Sequence, residues 1–389
     1  MGKISLIVLA LFMMSGCLGP KTEVKNSGSE GNMNLDKDGT LLPPKIDVMN
    51  PEIPGFTKGI NLGNGFDAPT LGEWGVIIEE NHFKYVKEAG LDHVRLPVRF
   101  SAHALMEAPY TIDEEFFAKI DWAIDMAEKY KLSILLDLHH YNELMTDPAA
   151  NRDRFLGLWK QIAERYKDRP ATVAFELLNE PSDKLVPALL DPLMKDAFNI
   201  VRATNPTRLV FINSYFWSST EWLDRVDTSY MDDNCVVTFH MYQPILFTHQ
   251  QASWMPPEFN TKGIVFPGPP EKPVAISDAA YKAEWVANWL QLYNTLPAAE
   301  NPCGPKTIYE EFDRATAFVK KSGIRTYLGE FGAIDFADEG SRLRFLTMVR
   351  EESERRGIGW CYWDDGGNNK GLDVKTGTWV DVVHKALFN

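Results

Sequence analysis

From residue 56 onward, short apolar runs alternate with longer segments in which apolar residues recur every three or four positions. The short runs fall at 56–62, 92–98, 132–140, 172–180, 208–214, 235–242, 324–331 and 358–364. Each is rich in Val, Ile, Leu and aromatic residues, as a strand buried on both faces should be. Segments such as 79–90, 113–131 and 151–168 carry the spacing of a helix with one core-facing side. Gly90 and Gly357 fall where helices end, a favoured place for glycine. Eight strands alternating with helices predict a single α/β domain folded as a (β/α)8 barrel. A doubly wound open sheet is the alternative. The GINLGNG stretch at 59–65 lacks the G-x-G-x-x-G spacing that a dinucleotide fold places after its first strand.

Residues 255–306 interrupt the rhythm. They are rich in proline and carry one helical piece at 281–293. This long excursion lies between strands six and seven, as a lid, a cleft wall or decoration. There are no internal repeats, and the barrel domain is expected to run over 51–389.

The N-terminal pattern differs. Lys3 precedes an apolar run at 4–14 that is too short to cross a bilayer, which takes about 20 residues. Residues 1–17 read as an export signal. Its end, MSGC, is similar to a lipoprotein signal in which Cys17 becomes the lipidated first residue. Cleavage by an ordinary signal peptidase is the alternative. Residues 18–50 have the Gly, Ser, Lys, Asn and Pro content of a flexible tether. The expected location is the cell surface or outer membrane through a lipid anchor, or otherwise the medium.

Charge narrows the partners. The 389 residues hold 40 Lys and Arg against 54 Asp and Glu, a net charge of −14. That balance excludes a basic nucleic-acid footprint and disfavours an anionic substrate. The 11 tryptophans supply rings for the core and for stacking against sugars. Cys235, Cys303 and Cys361 form no disulfide framework and no zinc-site spacing.

In such a barrel, chemistry sits where strands end and loops begin. Seven of the eight runs deliver Asn61, Arg95, His139 and His140, Asn179 and Glu180, His240 and Tyr242, Glu330, and Trp363 to one rim. Two carboxylates there suggest glycoside hydrolysis, one as acid and one as nucleophile or base. Glu180 would arrive protonated and Glu330 ionised. Arg95 would hold Glu330 ionised by its charge, and Tyr242 would donate to it. His240 would help to hold Glu180, Asn179 would bond a sugar hydroxyl, and Trp363 would face the sugar ring. A separation of about 5–5.5 Å would make the reaction retaining.

The stretches GINLGN (59–64), HVRLPVRF (93–100), DLHHY (137–141), LLNEP (177–181), HMYQP (240–244), LGEFGA (328–333) and CYWD (361–364), in this order, resemble glycoside hydrolase family 5, the cellulase family, over residues 56–389. The resemblance implies Glu180 as acid/base and Glu330 as nucleophile. It implies supporting roles for Arg95, His139, Asn179, His240, Tyr242 and Trp363, and cleft positions for His140 and Asn61. THQQASW (248–254) is similar to a loop that offers an aromatic platform, which makes Trp254 a candidate sugar contact. Asp364, Asp365 and the excursion depart from the pattern near the expected cleft.

The expected activity is that of a monomeric, retaining endo-β-1,4-glucanase acting on β-glucan without cofactor or metal. A β-mannanase or a dual glucan and mannan hydrolase is the nearest alternative. A non-catalytic surface glycan-binding lipoprotein is an alternative of another class. A metal-dependent barrel hydrolase is a third, drawing on His139, His140 and His240, although strand one lacks the H-x-H that such enzymes carry.

Overall fold

The computed structural model describes residues 41–389; Cys17, the export signal and the tether as far as residue 40 lie outside the described residues. Eight parallel strands close into a barrel in chain order. They are β1 (Lys58–Leu62), β2 (His93–Val98), β3 (Ser133–Leu138), β4 (Val173–Glu176), β5 (Val210–Asn213), β6 (Cys235–Met241), β7 (Arg325–Phe331) and β8 (Gly359–Asp364). β8 pairs with β1 from Lys58↔Trp360 to Leu62↔Asp364 and completes the ring. All eight predicted runs are therefore strands, but several are shorter than the apolar run that announced them. β3 stops at Leu138 and β4 at Glu176. His139, His140, Asn179 and Glu180 thus stand in the loops that follow, not on the strands. The hydrophobic pattern overran because these loop residues are themselves buried or half-buried.

The floor of the barrel is a packed layer of Leu135, Ala174, Phe211, Val236, Tyr327 and Cys361, plugged from below by Ile53 and Phe56. Asn50 fastens the plug. Its side chain donates to the Thr326 carbonyl at 3.0 Å and accepts from the Thr326 N–H at 2.7 Å. The surrounding helices form for local reasons. Glu114–Lys129 buries Phe116, Phe117, Ile120, Ala123, Ile124 and Ala127 on one side, and Asp113 caps its first turn by accepting from the Glu115 N–H. Pro148–Arg165 starts with proline, which has no N–H to leave unsatisfied, and is capped by Asp147. Its Trp159 is fully buried, and the indole N–H donates to the Leu177 carbonyl at 2.9 Å. That bond ties the segment between β4 and Glu180 to an outer helix.

The chain divides into two compact units. The larger holds the barrel. The smaller gathers Tyr242–Glu310 and Ala333–Met348 with the described residues up to Asp47. Within it the proline-rich excursion is well packed. Phe247 contacts Phe266 and Phe345, and the buried Gln250 side chain bonds both backbone groups of Ile264. The helix Glu284–Thr295 buries Val286, Ala287, Leu290 and Tyr293. Trp285 packs on Phe259 and Trp289 stacks on Tyr293.

Cys235, Cys303 and Cys361 are buried free thiols. Among the described residues, no helix is long and apolar enough to cross a membrane.

Candidate active site

The loop ends of the strands carry one continuous polar network, and Arg95 of β2 is its hub. The guanidinium is fully buried. Its Nε and Nη2 donate to the two oxygens of Glu176 at 2.7 and 2.8 Å, a bidentate pair. Nη1 donates to Glu330 Oε1 and to Asn61 Oδ1, each at 2.8 Å, and Nη2 donates to Asn179 Oδ1 at 2.8 Å. Asp137 of β3 lies 3.0 Å from Nη2. One cation thus faces three carboxylates, and these hold its proton well above the ordinary arginine range despite burial. Asn61 is also fixed from its other side, where Nδ2 donates to the Gly329 carbonyl at 2.9 Å. It is fully buried beneath the rim and orients Arg95.

Glu180 and Glu330 meet above this network. Each offers a carboxylate oxygen, and with a ring nitrogen of His240 these atoms lie within 4.8 Å of one another. His240 Nδ1 is 2.8 Å from Glu180 Oε1 and 3.6 Å from Glu330 Oε2. The strand register explains the meeting. Phe239 pairs with Leu328, but the next residue, His240, pairs with Glu330. Gly329 is the extra residue of a bulge that re-aims Glu330. A Cβ at Gly329 would stand 2.6 Å from Thr238 Oγ1 and 3.1 Å from His240 Nε2. Only glycine leaves the imidazole its place.

The two carboxylates differ in surroundings. Glu180 follows β4 with a φ of 44°, a left-handed backbone that a glutamate seldom adopts. The loop is braced, since the Trp217 N–H donates to the Pro181 carbonyl at 3.1 Å. Burial pushes the Glu180 carboxyl up to about 7, with Arg95 opposing and Glu176 adding to the rise. Glu330 instead accepts directly from the Arg95 guanidinium. Burial lowers His240 to about 4, so near neutral pH its imidazole is uncharged. Such a pair, one oxygen poised to carry a proton and one held against a cation, can protonate a leaving oxygen and attack the carbon it leaves.

Beside the pair, His139 Nδ1 lies 2.5 Å from Asp137 and its Nε2 lies 3.4 Å from Asn179 Nδ2. Its ring stacks on Trp363 of β8, with centroids 5.8 Å apart and planes 11° apart. His140 crosses His139 edge-on at 4.2 Å. The barrel unit therefore brings together Glu180, Glu330, Arg95, His139, His140, Asn179, His240, Trp363 and Asn61. Tyr242 and Trp254 belong to the smaller unit. There Tyr242 lies edge-on to His249 at 5.0 Å, and the partly exposed Trp254 lies 6.3 Å from the same ring.

Five further residues of the site escape the strand-end reading. Asp137 and Glu176 lie inside apolar strands, and Asn213 donates to Glu176 from β5. Asp137 had a signal: it stands two positions before His139, on the same face of an extended chain. Asp67 and Trp74 sit in the loop after β1. Asp67 is fully buried, and Trp74 is partly exposed and edge-on to His140 at 5.5 Å. Their sequence surroundings, GFDAPTLGEWG, read only as a turn. Asp364 and Asp365, which depart from the family pattern, fold their own loop. Asp364 accepts from the N–H groups of Gly366, Gly371 and Leu372, and Asp365 from those of Gly367 and Asn369.

Comparison with known proteins agrees with this geometry. A family model, cellulase (glycosyl hydrolase family 5), matches residues 56–369. Endoglucanase H of Acetivibrio thermocellus is 29% identical over 338 residues, which cover 85% of this chain but 32% of that protein. This chain thus spans about a third of that relative's length. Endoglucanase C of the same organism is 27% identical, with 79% of this chain and 91% of that one covered. Among solved structures, endoglucanase Cel5A of Thermotoga maritima superposes with a TM-score of 0.74 at 34% identity, over 86% of this chain and 97% of that one. The cellulose synthase subunit Z of Clostridioides difficile gives 0.74 at 31% identity, over 86% of this chain and all of that one. With the closed barrel and the match across most of its length, the chain belongs to the cellulase family, glycosyl hydrolase family 5.

Proposed function

We propose that this chain is a retaining endo-β-1,4-glucanase. The observation that carries the reading is the approach of Glu180 and Glu330 through His240, with oxygens of the two carboxylates within 4.8 Å. An inverting enzyme keeps its carboxyl groups about 6.5–9.5 Å apart to admit a water, and a retaining one holds them at about 5–5.5 Å. In the first step Glu330 attacks the anomeric carbon while Glu180 gives its proton to the leaving glycosidic oxygen. A glycosyl–Glu330 ester forms and the aglycone leaves as an alcohol. In the second step Glu180, now a carboxylate, takes a proton from water, the water oxygen attacks the anomeric carbon, and Glu330 is released.

Arg95 holds Glu330 ionised, and neutral His240 keeps both carboxylates in place. Trp363 offers the face of its ring to the sugar, and Asn179, fixed by Arg95, directs its amide to a sugar hydroxyl. Trp74 and His140 extend the cleft along the loop after β1. Glucan is the favoured substrate because the relatives are named endoglucanases. Mannan is the second reading, because Thermotoga maritima Cel5A has been crystallised with mannotriose as well as cellobiose. We further propose that the protein is exported as a monomer and held at the cell surface by a lipid on Cys17, as its MSGC stretch suggests.

Chain-length-resolved hydrolysis of β-glucan, glucomannan and galactomannan tests the reading. Mid-length products with retained anomeric configuration are expected, with the greatest rate on β-glucan. Wild-type rates in both Glu180→Gln and Glu330→Gln would overturn it.

A further inference from the structure

Asp67, His139 and His140 form a second cluster whose chemistry the hydrolytic mechanism does not use. Each offers one donor atom, and the three atoms lie within 4.8 Å of one another. Consecutive residues of an extended chain point to opposite sides. The left-handed backbone of His140, with a φ of 51°, instead turns its ring toward that of His139. His140 Nε2 then lies 3.7 Å from Asp67 Oδ2. His139 Nδ1 is engaged by Asp137, which makes Nε2 the ring's acceptor nitrogen, held by the Asn179 amide at a long 3.4 Å. Asp67 is wholly buried, and neither of its oxygens accepts a hydrogen bond of ordinary geometry. The N–H groups of Asn64 and of Asp67 itself only partly offset that burial. Buried carboxylates are normally satisfied by hydrogen bonds, an ion pair or a metal.

We propose that Asp67, His139 and His140 bind a divalent transition-metal ion of the Zn2+ type, and that the ion and the glycan exclude one another. Two imidazole nitrogens and one carboxylate suit zinc, nickel, cobalt or copper, whereas magnesium and calcium take oxygen ligands. The Asp137–His139 pair supplies the carboxylate that commonly orients a metal-bound imidazole. Arg95 and Arg99 are the cations that act on the two histidines, and Asp137 and Asp67 are the carboxylates beside His139 and His140. Exclusion follows from position, because His139 also stacks on Trp363 and approaches Asn179. The ion is an inhibitor and takes no part in the chemistry. Glu180, His240 and Glu330 also place three donors together. There, however, the Arg95 guanidinium stands 2.8 Å from Glu330 and occupies its charge. The exclusion clause rests on the glycanase reading, but the binding site does not.

Titration calorimetry of the full chain with ZnCl2, with and without cellotriose, tests both clauses. One zinc per chain is expected, with affinity lowered by cellotriose. Asp67→Asn and His140→Asn should each weaken zinc binding by about tenfold or more. Asparagine tolerates the left-handed backbone at position 140. The Glu180→Gln/Glu330→Gln double variant should bind zinc as wild type does. Absence of zinc binding, or binding that survives in both single variants and vanishes in the double variant, would overturn the site. Zinc binding unaffected by cellotriose would overturn the exclusion. Hydrolysis by the metal-free enzyme, measured separately, reports on the glycanase reading alone.

Discussion

His240 Nδ1 lies 2.8 Å from Glu180 and 3.6 Å from Glu330, and the same imidazole would be displaced by a single methyl group at Gly329. The placing of His240 between the two carboxylates therefore depends on a bulge in β7. Gly329→Ala should crowd both Thr238 Oγ1, 2.6 Å from the added methyl, and His240 Nε2, 3.1 Å from it. Overpacking of this kind costs about 1–3 kcal/mol. The expected result is a fall in kcat larger than the stability loss would produce at assay temperature. Parallel urea unfolding and steady-state kinetics check it, and unchanged kcat would remove His240 from its spacing role.

The two carboxylates should separate by substrate. Glu180→Gln removes the acid, a loss of about 10²–10⁴-fold on a natural glucan. On a dinitrophenyl β-cellobioside the leaving group needs no proton, so the glycosylation burst should persist in this variant. In Glu330→Gln the burst should be absent on both substrates. Rapid-mixing kinetics on the activated substrate distinguish the roles, and a burst in Glu330→Gln would reverse the assignment.

The pH profile should carry the mark of Glu180. Its folded carboxyl is raised to about 7, chiefly by burial. The acid works only while protonated, so kcat/KM should fall as pH rises through about 7. Glu180→Gln should lose that alkaline limb in its residual activity on β-glucan. A limb that stays in place in the variant would assign it to another group.

Arg95 should be intolerant of even a conservative change. Removing one partner of a buried charge network costs about 3–5 kcal/mol, because the remaining charges stay buried and uncompensated. Arg95→Met leaves Glu176, Asp137 and Glu330 in that state. Arg95→Lys keeps the charge but loses the bidentate grip on Glu176. Both should lower the urea midpoint, with methionine lower than lysine, and both should reduce activity. Equal stability of all three proteins would show that the hub does not hold the site together.

Trp74 should matter for long substrates alone. Its ring is partly exposed and edge-on to His140. Trp74→Ala should raise KM on a long β-glucan by about fivefold, the equivalent of ~1 kcal/mol of aromatic contact. KM for the short aryl cellobioside should not change. Equal effects on the two substrates would place the ring elsewhere in the binding path.

Much of this architecture is written in one dimension. The alternation of apolar runs and helical spacing is a local pattern, so the eight strands, their order and the barrel follow from it. Glu180 and Glu330 were legible because strand ends in a barrel share one rim, whatever their distance in sequence. The ends of β3 and β4 were not legible, because His139, Asn179 and Glu180 are sequestered by the fold and mimic strand residues in the pattern.

Other features belong to the tertiary structure alone. Asp137 and Glu176 look like polar flaws in apolar strands until Arg95 arrives from β2 to pair with them. Asp67 looks like part of a turn until β3 brings two imidazoles to it. Gly329 looks like part of a motif until the register between β6 and β7 shows a bulge. The sequence determined which strands and helices form, because periodicity and burial act within a few residues. The fold decided which carboxylate carries a proton and which is held against a cation. That depends on burial and on charges supplied by distant strands, which no local stretch contains.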